Sequence, residues 1–236
     1  MIQFAQVADG METWNAHACV GRHRHDQAYA AIVLSGGYEE CGSRGRFRVR
    51  PGDVLLHGAF DAHLNRFRPG ETRILNLVLE PCAYPPISAG RVDDADGIAT
   101  LASHDPAAAA IQLGEQLQRA AHPPADWPDM LASDLVRNPR TRLETWARAH
   151  DLATETVSRG FGKVFGMTPA AFRAQARAQA AFAQIIGGSR PLAAIAAATG
   201  FADQAHMTRA TRTLTGRTPS EWRTSNPFKT QARVAA

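Results

Sequence analysis

The chain has 236 residues, 44% of them hydrophobic, which is enough to bury the cores of one or two globular domains. No stretch approaches the ~18 consecutive apolar residues of a bilayer span, so a helical membrane segment is excluded and a soluble protein without a membrane partner is expected. The formal charge of +4 is unevenly placed: the first 136 residues are net acidic and the last hundred strongly basic, which points to a polyanion such as nucleic acid as the partner of the C-terminal part alone.

The opening "MIQFAQVADGMETW" lacks the charged-then-apolar run of a secretory signal, and Cys19, Cys41 and Cys82 are an odd set without paired spacing. Both observations fit a reducing cytoplasm, with Cys19 and Cys41 expected as small buried packing residues. From 27 to 80, the runs "YAAIVL", "RFRVR", "DVLLHG" and "TRILNLVLE" are separated by "SGGYEE", "CGSRG", "RPGD" and "RPGE". That rhythm predicts antiparallel strands joined by tight turns, in a sandwich or barrel. The following "PCAYPPISAGRVDDADG" has no periodicity and reads as a loop.

Within the strand region His23 and His25 lie two apart, so a strand would point both at one face. A neighbouring strand would bring in His63, with His57 as a candidate fourth member. Such a cluster can hold a divalent metal (Zn, Fe, Ni or Mn) or can hydrogen-bond a polar effector. The expected effector pocket is His23, His25, Tyr29 and His63, with Trp14 as a further wall and Arg24 facing away.

Asp105 and Pro106 supply the N-cap and first turn of a helix over 105–121, whose stripe of Ala110, Leu113, Leu117 and Ala121 would pack on its own barrel or on a second subunit. A second short helix is expected in "HPPADWPDMLASDLVRNPRT", and the domain boundary falls near 121–140.

From Leu143 onward the pattern is helical and repeats once. "LETWARAHDLATETVSRGFGKVFGMTP" (143–169) and "PLAAIAAATGFADQAHMTRATRTLTGRTP" (191–219) each run from a short helix through a tight turn into a basic helix that ends on Gly-x-Thr-Pro. Alignment on that ending pairs Gly166 with Gly216, Arg159 with Arg209, Val157 with Met207 and Ala147 with Ala197. Each unit reads as a helix-turn-helix. Val157 with Phe161, and Met207 with Thr211, are four apart and mark the buried faces, which leaves Glu155, Arg159, Ala205 and Arg209 pointing away. Arg159 and Arg209 can fork onto guanine N7 and O6, Glu155 can accept from cytosine N4, Ala205 can touch a thymine methyl, and His206 can donate to a base or a phosphate. Between the units, Pro169 opens one continuous helix of about 18 residues, ~27 Å long, which suits two reading helices set about one turn of B-DNA (~34 Å) apart.

In residues 143–223, Ala147, Ser158-Arg159, Phe161, Phe165 through Pro169, Ile195-Ala196, Thr199-Gly200-Phe201, Gln204, His206, Arg209-Ala210 and Gly216 through Arg223 give the chain the look of the tandem helix-turn-helix domain of the AraC/XylS family of bacterial transcription regulators. The resemblance implies DNA contact by Glu155, Ser158 and Arg159 in the first unit and by Ala205, His206 and Arg209 in the second. The full expected DNA-facing set adds Thr156, Lys163, Gln204 and Arg212. Three departures stand out: Thr211 and Thr215 replace phenylalanines, Gly160 and Gly162 lie inside the first reading helix at ~1 kcal/mol each relative to Ala, and Ala153 leaves Thr154 as a substitute cap.

The stretches 21–37 and 50–67 similarly resemble the two motifs of a cupin barrel, although Tyr29 or Ala30 stands where cupin enzymes carry a glutamate. The implied architecture is α+β: a cupin-like antiparallel β-barrel for effector sensing (1–100), a helical linker and candidate dimerisation region (101–139), and an all-α tandem helix-turn-helix DNA-binding domain (140–236). The implied function is a one-component regulator, not an enzyme. It would bind double-stranded DNA under control of an unidentified effector, with a divalent metal at His23, His25 and His63 as candidate cofactor. A homodimer, and RNA polymerase in the case of an activator, would be its further partners. The alternatives are a DNA-binding protein without an effector, whose barrel only dimerises, and a metal-dependent cupin enzyme.

Overall fold

The unbroken apolar run at 29–34 is explained by burial on both faces. In the computed structural model, which describes residues 3–80, 88–120, 126–138 and 140–225, strand β4 (Tyr29–Ser35) is central in its sheet and faces two different cores. Tyr29, Ala31 and Val33 pack with Tyr38, Val49, Leu55, Phe67 and Ile74 in one of them. The alternate residues Ala30 and Ile32 pack on the other side with Val54, Leu75 and Leu77, under Ile98, Ala109 and Leu113 of two helices. A strand covered on both faces has no polar side to display, which is why period-2 alternation is missing there.

One sheet has the order β1 (Gln3–Phe4), β3 (Cys19–Arg24), β8 (Ala62–Phe67), β5 (Tyr38–Gly42), β6 (Gly45–Val49). The other runs β11 (Gln118–Arg119), β10 (Ala89–Arg91), β7 (Asp53–His57), β4, β9 (Thr72–Val78), β2 (Gly10–Trp14). Pairing is antiparallel except between β1 and β3. Among the described residues the two sheets do not close into one continuous ring, so the arrangement is barrel-like and made of two sheets.

Helices α1 (Ala95–Ala102) and α2 (Pro106–Gln116) cover the outer face of the second sheet. Leu113 and Leu117 of the expected stripe therefore pack on the helix's own unit, joined by Ala109, which the stripe did not include. Asp105 caps α2 by accepting from the Ala108 amide at 3.0 Å. The helix stops at Gln116, short of the expected 121, because residues 118–119 turn into β11 and pair with Gly90 and Arg91. Ala121 lies outside the described residues.

The chain divides into two compact units, residues 1–124 and 125–236. Helix α3 (Trp127–Arg137) belongs to the second, with α4 (Leu143–Ala149), α5 (Thr154–Phe165), α6 (Pro169–Gly187), α7 (Leu192–Ala198), α8 (Gln204–Thr215) and α9 (Pro219–Thr224). No helix among the described residues is long and apolar enough to cross a membrane.

Gly-x-Thr-Pro proves to be a stop and a start in four residues. Gly166 and Gly216 adopt φ of 66° and 79°, a left-handed conformation that closes α5 and α8. Two residues later Thr168 and Thr218 cap α6 and α9 with their hydroxyls, and Pro169 and Pro219 occupy first-turn positions where no amide hydrogen is needed.

The pairing of Ala147 with Ala197 is one residue out. Ala147 is buried and Ala197 exposed, and the buried equivalent is Ala196. Leu152 donates its amide to the Ala147 carbonyl and Phe201 donates to that of Ala196, both at 2.9 Å. Asp151 and Gly200 hold the corresponding positive φ, at 54° and 77°. The second turn then takes one more residue before its helix, and that residue brings Asp203 to the N-cap, where its carboxylate accepts from the His206 amide. The first turn has no such device: Ala153 occupies the N-cap without a side-chain bond and Thr154 is already inside α5, so it does not serve as the cap.

Two of the departures acquire structural reasons. A Cβ on Gly160 would lie 2.5 Å from the Trp127 ring, so this glycine lets α3 close onto α5. Thr215 is buried and fully engaged, donating to the Thr211 carbonyl at 2.9 Å and accepting from the Trp222 indole at 2.7 Å. The Thr211 hydroxyl, in contrast, is buried without a hydrogen-bond partner among the described residues.

Opposite effects are therefore expected from one substitution at the two threonines. Thr215→Val should cost about 1–3 kcal/mol by stranding the indole N–H, while Thr211→Val should stabilise by about 1 kcal/mol by removing an orphaned hydroxyl; denaturant unfolding of the full chain measures both, and changes of equal sign would contradict the assignment. Gly160→Ala should stabilise α5 by ~1 kcal/mol only when Trp127 is also replaced by Ala. A double-mutant cycle without coupling would show that the ring does not confine this site.

Candidate functional site

In the N-terminal unit a cavity of about 560 Å³ is lined by the side chains of Trp14, His23, His25, Tyr29, Glu40 and His63, among others. His23 and His63 are direct partners in the β3–β8 register, with ring centroids 4.3 Å apart. His25 stands one residue past the end of β3, its ring 5.0 Å from that of His23. His63 Nε2 is 3.3 Å from the Tyr29 hydroxyl, and Tyr29 stacks on His57 with centroids 4.3 Å apart. All four sequence-predicted pocket residues are thus brought together, and Trp14 joins them.

The donor nitrogens of His23, His25 and His63 lie within 4.8 Å of one another. Three imidazoles at that spacing fit a divalent transition ion, which would supply positive charge and a Lewis-acid centre. Burial keeps the rings of His25, His57 and His63 neutral, the form that ligates and accepts hydrogen bonds. It lowers His57 to about 3 and His25 to about 4, with neighbouring histidines adding to the effect, and holds His63 well below its ordinary value.

Several polar groups here were not singled out in the sequence. Glu40 is buried, and burial with the nearby Asp61 raises its carboxyl well above the usual range against a smaller opposing pull from Arg22. Arg22 donates to the carbonyls of Cys41 at 3.0 Å and Ala62 at 3.2 Å, and burial lowers it to about 10. Glu40 was hidden because "SGGYEECGSRG" reads as turn material, whereas 38–42 form β5. The available signal was the Glu39-Glu40 pair itself: on a strand the two must face opposite ways, and Glu39 takes the outside with Arg48 and Arg66. Arg24 is buried with its guanidinium 4.4 Å from the centroid of Phe4, outside the cavity. Cys41 is buried and its thiol is pushed up to about 12, chiefly by burial, but Cys19 is exposed, contrary to expectation. Cys82 lies outside the described residues.

The second candidate surface is carried by α5 and α8. Val157, Phe161 and Phe165 of α5 and Met207, Thr211 and Leu214 of α8 are buried. Glu155, Thr156, Arg159 and Lys163 on α5, and Gln204, Ala205, Arg209 and Arg212 on α8, are exposed; Ser158 and His206 are half-buried. His206 meets the Phe201 ring edge-on at 5.1 Å.

Residues 146–225 match the family model described as a helix-turn-helix domain, of AraC type. Among solved structures the chain is similar to ToxT from Vibrio cholerae with an unsaturated fatty acid bound, at 10% identity over 92% of this chain and 96% of that one, with a TM-score of 0.39. It is also similar to the C-terminal domain of AraT, a response regulator from Geobacillus stearothermophilus, at 17% identity over 41% of this chain and 83% of that one, with a TM-score of 0.38. A variant of salicylate 1,2-dioxygenase from Pseudoaminobacter salicylatoxidans matches at 18% identity over 28% of this chain and 20% of that one, with a TM-score of 0.27. Comparison with curated proteins gives no match.

Proposed function

Taking residues 146–225 as an AraC-type helix-turn-helix domain, we propose that the chain is a one-component transcription regulator that reads double-stranded DNA with α5 and α8 under the control of a small effector held in the N-terminal cavity. The observation that carries this reading is the matched division of the two helices. Each buries one apolar face and leaves an arginine, Arg159 or Arg209, exposed in its middle. An arginine there presents a planar fork to guanine, while Lys163 and Arg212 near the helix ends serve phosphates.

The effector reading rests on the cavity. Its volume of about 560 Å³ suits a small organic molecule, and pockets of this kind combine apolar walls with a few polar anchors. Trp14, Val20 and Ile74 supply walls; His23, His25, Tyr29 and His63 supply anchors. A ligand can control DNA binding only through unequal affinity for two states of the protein, so the cavity senses and does not catalyse in this reading.

Arg209→Ala should remove about 1–3 kcal/mol of binding to a selected target duplex while sparing most of the affinity for random DNA. Fluorescence anisotropy at fixed salt measures both, since non-specific affinity follows ionic strength. An equal loss on the two duplexes would assign Arg209 to the phosphate backbone and contradict base reading by this residue.

A further inference from the structure

Behind the effector cavity lies a small recess lined by Glu40, Arg44, His57, Asp61 and His63, among others. Glu40 and His63 line both spaces, and His57 only the recess. The ligand atoms of Glu40, His57 and His63 lie within 4.8 Å of one another, and all three residues are buried. They arrive from β5, β7 and β8, elements fixed by strand pairing.

Two features of this group are unexplained by packing alone. His57 Nε2 and His63 Nδ1 are buried without a hydrogen-bond partner among the described residues, an arrangement that costs stability unless something binds them. The His57 Nε2 is also 3.6 Å from the nearer Glu40 oxygen, too far for a hydrogen bond. Two donors on a tetrahedral ion with bonds of ~2.1 Å stand about 3.4 Å apart, so that separation is close to what a shared cation sets. Arg44, which lines the recess, is paired with Asp61 at 3.8 Å.

We propose that Glu40, His57 and His63 form a buried seat for a divalent first-row transition ion, separate from the effector contacts of His23 and His25. Two imidazoles and a carboxylate, with no thiolate, are the donor set of a borderline ion such as Zn²⁺, Fe²⁺ or Mn²⁺. The set differs from the sequence-predicted His23, His25 and His63 and shares only His63 with it. It leaves His23 and His25 on the cavity wall for the effector, and it gives a role to a glutamate that the cupin pattern places elsewhere.

The test uses Zn²⁺ alone on the full chain after chelation and needs no DNA, so its outcome is independent of the regulator reading. Calorimetric titration should give one Zn²⁺ per chain. Glu40→Gln and His57→Gln should each weaken it at least about tenfold, while the His23→Ala/His25→Ala double variant should stay within about threefold of the parent chain. Should a variant fail to fold, anomalous diffraction from crystals of the unaltered chain grown with Zn²⁺ decides the matter: density between Glu40 and His57 supports the seat. Density on His23 and His25, unchanged affinity in the Glu40 and His57 variants, or no stoichiometric Zn²⁺ in the unaltered chain would each overturn it.

Discussion

The aromatic seams of α6 are what the C-terminal unit depends on. Near its start Phe172 sits edge-on to Phe161 and Phe165 of α5, with centroids 5.3 Å apart in both cases. Near its end Phe182 packs edge-on against Trp222 of α9 at 5.2 Å. Trp222 in turn bonds the hydroxyl of Thr215, which terminates α8. One rod of 19 residues, about 28 Å long, is therefore bonded to both exposed helices through buried groups. Close-packed aromatic contacts of this kind resist displacement far better than a flexible linker would, so the separation of α5 and α8 is a property of the packing. Thr211 and Thr215 fit this account unequally. Thr215 replaces apolar bulk with a hydrogen bond to the same tryptophan, whereas the orphaned hydroxyl of Thr211 has no visible compensation.

The N-terminal unit is organised on the opposite principle, by polar groups held inside a barrel-like arrangement of two sheets. Three histidines (His25, His57 and His63), a glutamate and an arginine lie within or beside the cavity, each shifted by burial toward its neutral form. Such groups lower stability unless they are paired, and clusters of perturbed groups in a cleft are a physical marker of binding. The apolar cores on both sides of β4 supply the rigidity that holds them in place.

What the sequence revealed follows the range of the forces involved. Gly-x-Thr-Pro was legible because helix termination and capping are local, fixed by a left-handed glycine and a hydroxyl within four residues. The histidine cluster was partly legible, because His23 and His25 share a strand period and the stretch 50–67, which carries His63, resembles the second cupin motif. Glu40 was not, since its partners come from strands distant in sequence and its own segment imitates a turn. The pairing of Ala147 with Ala197 failed through one inserted residue, which burial, the positive φ of Asp151 and Gly200, and the hydrogen bonds of Leu152 and Phe201 reveal. The end of α2 was misplaced because pairing of 118–119 with β10 is a tertiary contact that overrides an apolar helical stripe. Gly160 shows the same limit from the other side: its cost to the helix was local and visible, whereas the tryptophan that requires it lies more than thirty residues away.

If the α6 rod sets the spacing of two reading helices, the bound duplex should record it. Hydroxyl-radical footprinting of the full chain on a selected target should show two protected segments about one helical turn apart, with centres separated by ~10 base pairs on the same face of the duplex. A single protected segment, or two whose spacing is not close to a whole helical turn, would contradict a rigid two-helix reader.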